Sequence, residues 1–394
     1  MRPLRLSHYT ATSCIGRGLT ETRHALLERR SGLAPCAFET VRLETHIGEV
    51  PGVDEVSLPP QLARFDSRNH RLALLALAQD DFIETVAECA GRLGRRSVGL
   101  FLGTSTSGML ETEIAYRHRD ATGALPAPFD YAATHNAYSL AAFVQRVLRI
   151  EGPSAVICTA CSSSAKAFGS AHRMIEAGLI DAAVVGGVDS LCLTTLYGFH
   201  SLQLVSRAPC RPFDAARDGI SIGEAAAFVL LERPSDAPGS ILFTGIGESS
   251  DAYHMSSPHP EGLGARAAMR QALESASIGP QDIDYVNLHG TGTPSNDSAE
   301  GHAVSAVFGA HVAGSSTKGA TGHTLGAAGA LEAILCALAL REGFAPGGVN
   351  TLELDPAVSF DYLRENRRRP LKRVLSNSFG FGGSNCSLVL QRAD

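Results

Sequence analysis

Short apolar runs alternate along the chain with segments of helical periodicity. The runs SVGLFLG (97–103), DAAVVGGVDS (181–190) and AAAFVLLE (225–232) have few polar positions, which is typical of strands in a sheet covered on both faces. The same reasoning predicts strands over 154–160, 241–250, 285–291 and 385–391. Because helical segments separate these runs, we predict an α/β protein built in layers.

Helical periodicity is found over 70–93, 163–178, 265–277 and 326–343. The most apolar run, Leu325–Leu340, contains Glu332 and is about one turn shorter than the ~20 residues that a membrane span needs. We therefore predict a buried helix there and no membrane span.

The segment ERPSDAPGS (232–240) combines two prolines with glycine and serine, a composition typical of linkers. We predict that it separates an N-terminal half, residues 1–240, from a C-terminal half, residues 241–394. A chain of 394 residues is long enough for two domains or one large double domain.

Composition then narrows the class of protein. Hydrophobic residues make up 44% of the chain and charged residues 19%, which is enough apolar material for a large core. The formal net charge of −6 disfavours a nucleic-acid-binding protein, which usually has a basic excess. Nine cysteines at irregular spacing, and an N-terminal segment without an apolar signal core, predict a reduced, cytoplasmic protein.

Cys158 and Cys161, in the stretch TACSSS, are the first candidates for chemistry. Structural zinc usually needs two such pairs, and the sequence has one. A redox pair of the thioredoxin kind is an alternative, but the flanking residues lack the usual redox context. We interpret Cys158 as a small core residue. Cys161 lies where a strand meets a helix, whose dipole favours a thiolate, so we interpret it as a nucleophile.

Two histidines lie in glycine-rich loops next to regular elements, His289 in YVNLHGTGTPSND and His323 in STKGATGHTLGAAG. Such loops often present functional side chains, and it is the combination with Cys161 that indicates catalysis. A third loop, LSNSFGFGGSN (375–385), lacks the sequence of a P-loop or a dinucleotide site. We interpret it as a source of backbone N–H donors for an oxyanion.

These motifs resemble the β-ketoacyl-acyl-carrier-protein synthases, in the elongating branch that has a Cys-His-His triad. TACSSS, HGTGTPSND, STKGATGHTLGAAG and NSFGFGGSN match in order, and the segment 211–232 matches the family's connecting segment. The resemblance covers essentially the whole chain. It implies a thiolase-like fold, in which two similar halves form a five-layered α-β-α-β-α core, and it implies a homodimer.

The resemblance also implies roles for individual residues. Cys161 is the implied acyl-accepting nucleophile, and His289 and His323 are implied to serve decarboxylation and condensation. Lys318 is implied to support their electrostatics. The backbone N–H groups of Cys161 and Phe381 resemble the oxyanion hole, and the Phe381 ring matches a gate.

Supporting positions follow from the same motifs. Asp297 and Glu300 match structural acidic residues, and Glu300 is expected to pair with Lys318. The positions implied to bind substrate or its phosphopantetheine arm are Thr291, Thr293 and Phe379.

The implied reaction is a decarboxylative Claisen condensation of an acyl thioester with malonyl-acyl carrier protein, in fatty acid or related polyene or polyketide biosynthesis. It needs no metal and no cofactor, because loss of CO₂ drives it and phosphopantetheine arrives on the carrier. The carrier is expected to be acidic. Its candidate docking residues, in ARFDSRNHR (63–71), are Arg64, Arg68 and Arg71.

Two other classes of function are weighed against this one. A non-catalytic partner subunit such as a chain-length factor typically lacks the nucleophile, whereas this sequence has Cys161 and both histidines. A degradative thiolase uses a second cysteine near its C-terminus. Cys386 is near the end of the chain, but it lies in a strand-like run and is interpreted as a core residue.

Overall fold

The computed structural model describes residues 1–234 and 238–394. Its main feature is a 12-stranded sheet. The strands are, in chain order, β1 (Leu4–Ser13), β2 (Gly16–Arg17), β3 (Val98–Gly103), β4 (Ser154–Ile157), β5 (Ala182–Asp189), β6 (Ala225–Glu232), β7 (Ile241–Ser250), β8 (Tyr285–Asn287), β9 (Ala313–Ser315), β10 (Asp361–Tyr362), β11 (Arg373–Gly380) and β12 (Ser384–Arg392). They lie in the spatial order β10-β9-β8-β11-β12-β7-β1-β6-β5-β3-β4, with β2 beside β1.

Helices cover this sheet on both sides. They are α1 (Gly18–Glu28), α2 (Arg68–Leu77), α3 (Phe82–Leu93), α4 (Met109–Arg117), α5 (Tyr138–Leu148), α6 (Ser163–Glu176), α7 (Leu193–Ser201), α8 (Leu263–Ala276), α9 (Pro294–Phe308), α10 (Lys318–Thr321) and α11 (Ala328–Glu342). Short strands at Ala34–Pro35, His46–Gly48 and Ile222–Gly223 form a separate sheet, and Phe344–Ala345 pairs with Arg367–Arg368.

The two halves of the sheet have the same strand pattern. In the first, β1 is antiparallel to β6, β6 is antiparallel to β5, and β3 and β4 continue in parallel. In the second, β7, β12 and β11 are successively antiparallel, and β8 and β9 continue in parallel. The halves join through β1 and β7. This repeated pattern confirms the predicted α/β fold of two similar halves.

Helices α6 and α11 lie between the two halves of the sheet and form the middle layer. Helix α11 packs against α6 and against strands of both halves, while α2 and α8 cover the outer faces. Every residue from Ala328 to Leu340 is buried, which explains why the sequence there is apolar on all sides. The five-layered arrangement and the buried helix are therefore confirmed. Within the two described ranges, no helix has the length and apolar character required to cross a membrane.

Several predicted elements differ in extent. The helix predicted over 70–93 is two helices, α2 and α3, because Asp80 and Asp81 adopt left-handed backbone angles between them. The strands predicted over 154–160 and 285–291 end early, at Ile157 and Asn287, and the remaining residues form turns. The predicted boundary segment 232–240 includes residues 235–237, which lie outside the described residues, so the division at 240 stays a prediction.

Candidate active site

Cys161, His289 and His323 meet in one buried site. His323 Nε2 lies 3.0 Å from Cys161 Sγ. The two imidazole rings lie edge to face, with centroids 5.2 Å apart. The thiol is thus in direct contact with one histidine, and the second histidine borders the same space.

The turn before α6 presents the thiol. Strand β4 ends at Ile157, and Ala160 has a φ of 52°, a left-handed angle that is costly for a residue with a side chain. Side-chain hydrogen bonds hold this turn, since Ser163 Oγ donates to Ala160 O at 2.6 Å and accepts from Thr159 N at 2.9 Å. The serines after Cys161 therefore stabilise the strained turn that aims the sulfur at His323.

The resting state of the thiol differs from the simple helix-dipole expectation. Burial raises the pKa of Cys161 to about 11, while the Lys318 charge and the Phe381 N–H act to lower it. Burial, and then the Lys318 charge, hold the pKa of His289 and of His323 well below the usual range. At neutral pH the site thus contains a protonated thiol beside two neutral imidazoles, and a neutral imidazole can donate at one nitrogen and accept at the other.

Lys318 lies behind His289 and is paired with Glu332, not with Glu300 as predicted. Its ammonium group donates to His289 O at 2.6 Å, contacts His289 Nδ1 at 3.3 Å, and forms a buried ion pair with Glu332. The Glu300 oxygens are occupied by the backbone N–H groups of His289 and Gly290, at 2.8 and 2.7 Å. Glu300 therefore shapes the histidine loop, and burial raises its pKa to about 7. A lone carboxylate in the apolar α11 sequence was the available signal for Glu332, since a buried charge needs a partner.

Asp297 holds the turn after His289. Its carboxylate accepts from the backbone N–H groups of Thr291, Gly292 and Phe213, at 3.0, 3.2 and 2.8 Å. These bonds fix the positions of Thr291 and Thr293 at the rim of the site, where both line the cavity.

The glycine-rich loop closes the site from above Cys161. A Cβ on Gly380 would lie 2.8 Å from Thr159 O and 3.2 Å from Cys161 N, so this close approach requires glycine. The Phe381 N–H is directed at the Cys161 sulfur. The Phe381 ring packs against Phe199, with centroids 5.3 Å apart.

The site opens into a small cavity of about 50 Å³. The predicted residues Phe379, Phe381, Thr291 and Thr293 line it. Sequence reasoning missed the other lining residues, among them Phe199, Leu204, Ile220, Asp251, Ser256 and Ser257. The polar loop DAYHMSSPHPEG (251–262), directly after β7, was the signal available for three of them.

Two other predictions are wrong. Arg68 is only 2% exposed and pairs with the buried Glu224, so it is not a surface docking residue. Cys158 is exposed and not a core residue, because β4 is an edge strand that ends one residue before it.

Of the remaining docking candidates, Arg64 is 63% exposed beside Asp130, whereas Arg71 is 26% exposed and paired with Asp66.

The three site residues are also the one cysteine, histidine and carboxylate group in the described ranges whose geometry could hold a metal ion. Their ligand atoms lie within 4.8 Å of one another. However, the Lys318 ammonium lies 3.3 Å from His289 Nδ1, and this charge repels a cation. The donor set therefore suits a nucleophile with two bases better than a metal ion.

Family models match both halves of the chain. Residues 11–237 match the model described as "Beta-ketoacyl synthase, N-terminal domain", and residues 241–351 match "Beta-ketoacyl synthase, C-terminal domain". A 3-oxoacyl-[acyl-carrier-protein] synthase 2 of Coxiella burnetii is 39% identical over 62% of this chain. A protein of the same name from Staphylococcus aureus is 32% identical over 75% of each chain. The match spans 63% of the Coxiella relative, less than two thirds of its length.

Solved structures with the same fold include two ketosynthases that are described together with chain length factors. The ketosynthase ApeO, in complex with its chain length factor ApeC, from Xenorhabdus doucetiae, has a TM-score of 0.90 and 38% identity. It is covered over 98% of its length and 100% of this chain. The ishigamide ketosynthase/chain length factor has a TM-score of 0.89 and 29% identity, with full coverage of both chains.

Proposed function

The chain belongs to the β-ketoacyl synthase family and has its thiolase-like fold, and we propose that it is a 3-oxoacyl-[acyl-carrier-protein] synthase. Its proposed reaction joins an acyl thioester to malonyl-acyl carrier protein and releases CO₂. One observation carries the proposal above all others, the 3.0 Å contact between the Cys161 thiol and His323 next to a second neutral histidine.

In the first half-reaction, the Cys161 sulfur attacks the carbonyl carbon of the acyl thioester. His323 accepts the thiol proton as the carbon–sulfur bond forms, because its Nε2 is the basic atom in contact with Sγ. The N–H groups of Phe381 and Cys161 stabilise the oxyanion. When the tetrahedral state collapses, the bond from carbon to the carrier sulfur breaks, and the carrier thiolate takes up the proton that His323 accepted from Cys161.

In the second half-reaction, the bond between the malonyl carboxylate and its α-carbon breaks, and CO₂ leaves. The electron pair forms an enolate, whose oxygen needs hydrogen-bond donors. Lys318 is a donor only, so His289 Nδ1 is the acceptor in that contact and His289 Nε2 carries the hydrogen. His289 is therefore set to donate to the enolate. The enolate carbon then attacks the acyl-Cys161 carbonyl, the bond from that carbon to the sulfur breaks, and the released sulfur takes up a proton from solvent by way of His323.

The two rival classes of function fit this site less well. A chain-length factor without a nucleophile would not need the Cys161–His323 contact. A thiolase would need a second cysteine at the site, but Cys386 is fully buried in β12 and does not line the cavity. The proposed reaction requires no metal and no cofactor of its own, since the phosphopantetheine arm is part of the carrier.

The proposed partners are an acidic acyl carrier protein and a second subunit of the same fold. Arg64 is the predicted docking residue that has the most exposed side chain, and we keep it as the proposed carrier contact.

For the second subunit we propose a homodimer. Strand β4 at the end of the large sheet, with half-buried residues from Ser154 to Ile157, offers an edge for it. The complexes of ApeO and of the ishigamide ketosynthase make a chain length factor the competing partner.

The proposal is tested by following the acyl group. Wild-type protein is incubated with a mixture of acyl carriers, and the peptide that contains Cys161 is analysed by mass spectrometry. We expect an acyl adduct on Cys161 and, after addition of malonyl carrier, a 3-oxoacyl product two carbons longer. The Cys161→Ala variant should form neither, and Cys158→Ala, which changes an exposed thiol three residues away, should form both. Condensation by Cys161→Ala at the wild-type rate would show that the assignment is wrong.

A further inference from the structure

A second buried ion pair lies outside the catalytic triad, between Arg68 and Glu224. Glu224 is 0% exposed and Arg68 is 2% exposed. The guanidinium binds the carboxylate with two parallel hydrogen bonds, Nη2 to Oε1 at 2.7 Å and Nε to Oε2 at 2.9 Å. Burying two charges is costly and is compensated only by near-complete hydrogen bonding, so the position of this pair calls for an explanation.

Glu224 also joins two distant segments of backbone. Its Oε1 accepts from Val50 N at 2.9 Å, and its Oε2 accepts from Leu191 N at 2.9 Å. Its own N–H donates to Gly48 O at 3.0 Å. The carboxylate therefore accepts four hydrogen bonds, two from Arg68 and two from backbone N–H groups. These bonds fix Glu224 at the end of the short strand Ile222–Gly223.

That short strand holds the backbone of His323. His323 N donates to Ser221 O at 2.7 Å, and Gly223 N donates to His323 O at 3.0 Å. On its other side the strand pairs with His46–Gly48. A Cβ on Gly223 would lie 2.3 Å from Thr321 O, so the strand and the histidine loop are in close contact. A shift of Glu224 would therefore be transmitted to His323.

We propose that Arg68 is a positioning residue for His323, acting through Glu224. The paired hydrogen bonds require the planar fork of arginine, which lysine does not provide. Asp54 and Glu49, which are exposed, bind two of the three remaining guanidinium N–H groups and hold the arginine from its outer side. The effect on condensation rests on the proposed function, but the effect on the thiol rests only on the His323–Cys161 contact.

The test measures the reactivity of Cys161 toward iodoacetamide between pH 6 and 10, with alkylation of its own peptide followed by mass spectrometry. In Arg68→Met we expect the alkylation rate of Cys161 between pH 7 and 9 to fall about tenfold, because a displaced His323 no longer accepts the thiol proton as the carbon–sulfur bond forms. The other charged groups that act on the thiol, Lys318 and Asp189, are unchanged in this variant. In the condensation assay, kcat should fall about tenfold, while KM for the carrier substrate stays the same.

The matched control is Glu232→Gln. Glu232 lies at the far end of β6, eight residues after Glu224, and is paired with Arg5 and Arg92. Its replacement breaks a comparable ion pair away from the site, so it should lower the unfolding midpoint and leave the alkylation profile unchanged.

An Arg68→Met profile that coincides with wild type, at any loss of stability, would overturn the proposal. If Arg68→Met does not fold, Glu224→Gln decides, because it keeps the shape of the carboxylate and leaves Arg68 with Glu49 and Asp54. We expect the same loss of alkylation rate in that variant, and a wild-type profile there would overturn the proposal. If wild type fails to condense while the variants still slow the alkylation of Cys161, the proposed function is wrong and the positioning role stands.

Discussion

Lys318 and Glu332 form a buried ion pair directly behind His289. The two side chains are 1% and 2% exposed. The same ammonium group donates to His289 O and faces His289 Nδ1. The pair thus supplies a positive charge to the histidine while keeping the interior close to neutral overall.

Replacement of Glu332 by glutamine tests this balance. Breaking a buried pair from one side leaves the other charge uncompensated, so we expect Glu332→Gln to lose about 3 kcal/mol of unfolding free energy in urea. The double variant Lys318→Met/Glu332→Leu removes both charges and should lose much less stability, but it should remain inactive. Equal stability of Glu332→Gln and wild type would contradict a charged pair at this position.

The two histidines should have separable effects. His323 contacts the thiol, whereas His289 lies edge to face with His323 and lines the same cavity. We expect His323→Ala to slow acyl transfer to Cys161 about 100-fold, since general-base help is lost. His289→Ala should acylate nearly normally and slow CO₂ release from malonyl carrier by a similar factor. Quenched time courses measure acylation of Cys161, and release of labelled CO₂ measures decarboxylation. Identical effects of both variants on the two steps would contradict this division of roles.

The layered fold can be predicted from the sequence because its central strands and α11 are buried on all sides, so their apolar character is continuous. Strands β1 and β11 are not predicted from apolar runs, because they bury polar side chains. Thr10 donates to Asp80, and Asn377 bonds to Glu300 and Ser387. These partners come from remote parts of the chain, so no local pattern reveals that the polar groups are satisfied.

The candidate site follows the same rule. The strained turn at Cys161 and the loops of His289 and His323 carry their own sequence signals. The charge partners do not, because Arg68 and Glu224 are 156 residues apart. A basic residue in a polar stretch looks exposed until its buried acceptor is known.

His70 provides a test of pH dependence. It is fully buried against Phe65 O and Ser139, and burial lowers its pKa from 6.5 to about 4. As the pH falls, the unfolded state therefore binds the proton first. The contribution of neutral His70 to the stability of the fold is fully present above pH 6.5 and is lost as the pH falls toward 4. Relative to His70→Gln, wild type should lose about 1.4 kcal/mol of unfolding free energy for each pH unit that the pH falls across this window. Urea unfolding at pH 7.5, 5.5 and 4.5 measures it, and a constant difference would contradict a neutral buried His70.

Arg64 is the test of carrier docking. Its side chain is 63% exposed, and charge reversal in Arg64→Glu should repel an acidic carrier. We expect KM for the carrier substrate to rise several-fold at low salt, with the difference disappearing near 0.5 M salt because the interaction is screened. The control is Arg96→Glu, which reverses a charge that is 89% exposed and is paired with Glu151. An equal change in KM for both variants would indicate a general charge effect and no docking site.

Two neighbouring glycines separate backbone strain from a direct clash in the loop that carries Phe381. Gly382 and Gly383 have φ angles of 78° and 74°, so alanine is strained at either position. A Cβ on Gly382 meets nothing within 4 Å, whereas a Cβ on Gly383 would lie 2.8 Å from Asp251 Cβ. We expect Gly382→Ala to cost about 1 kcal/mol of stability and to retain most activity.

Gly383→Ala should in addition displace the loop and with it the Phe381 N–H that is directed at Cys161. Since loss of one oxyanion donor typically reduces kcat by a factor of about 100, single-turnover acylation of Cys161 should slow by at least tenfold in this variant. The measurement compares both variants at a temperature where each is fully folded. Equal acylation rates would mean that the Phe381 N–H does not act on the reacting carbonyl.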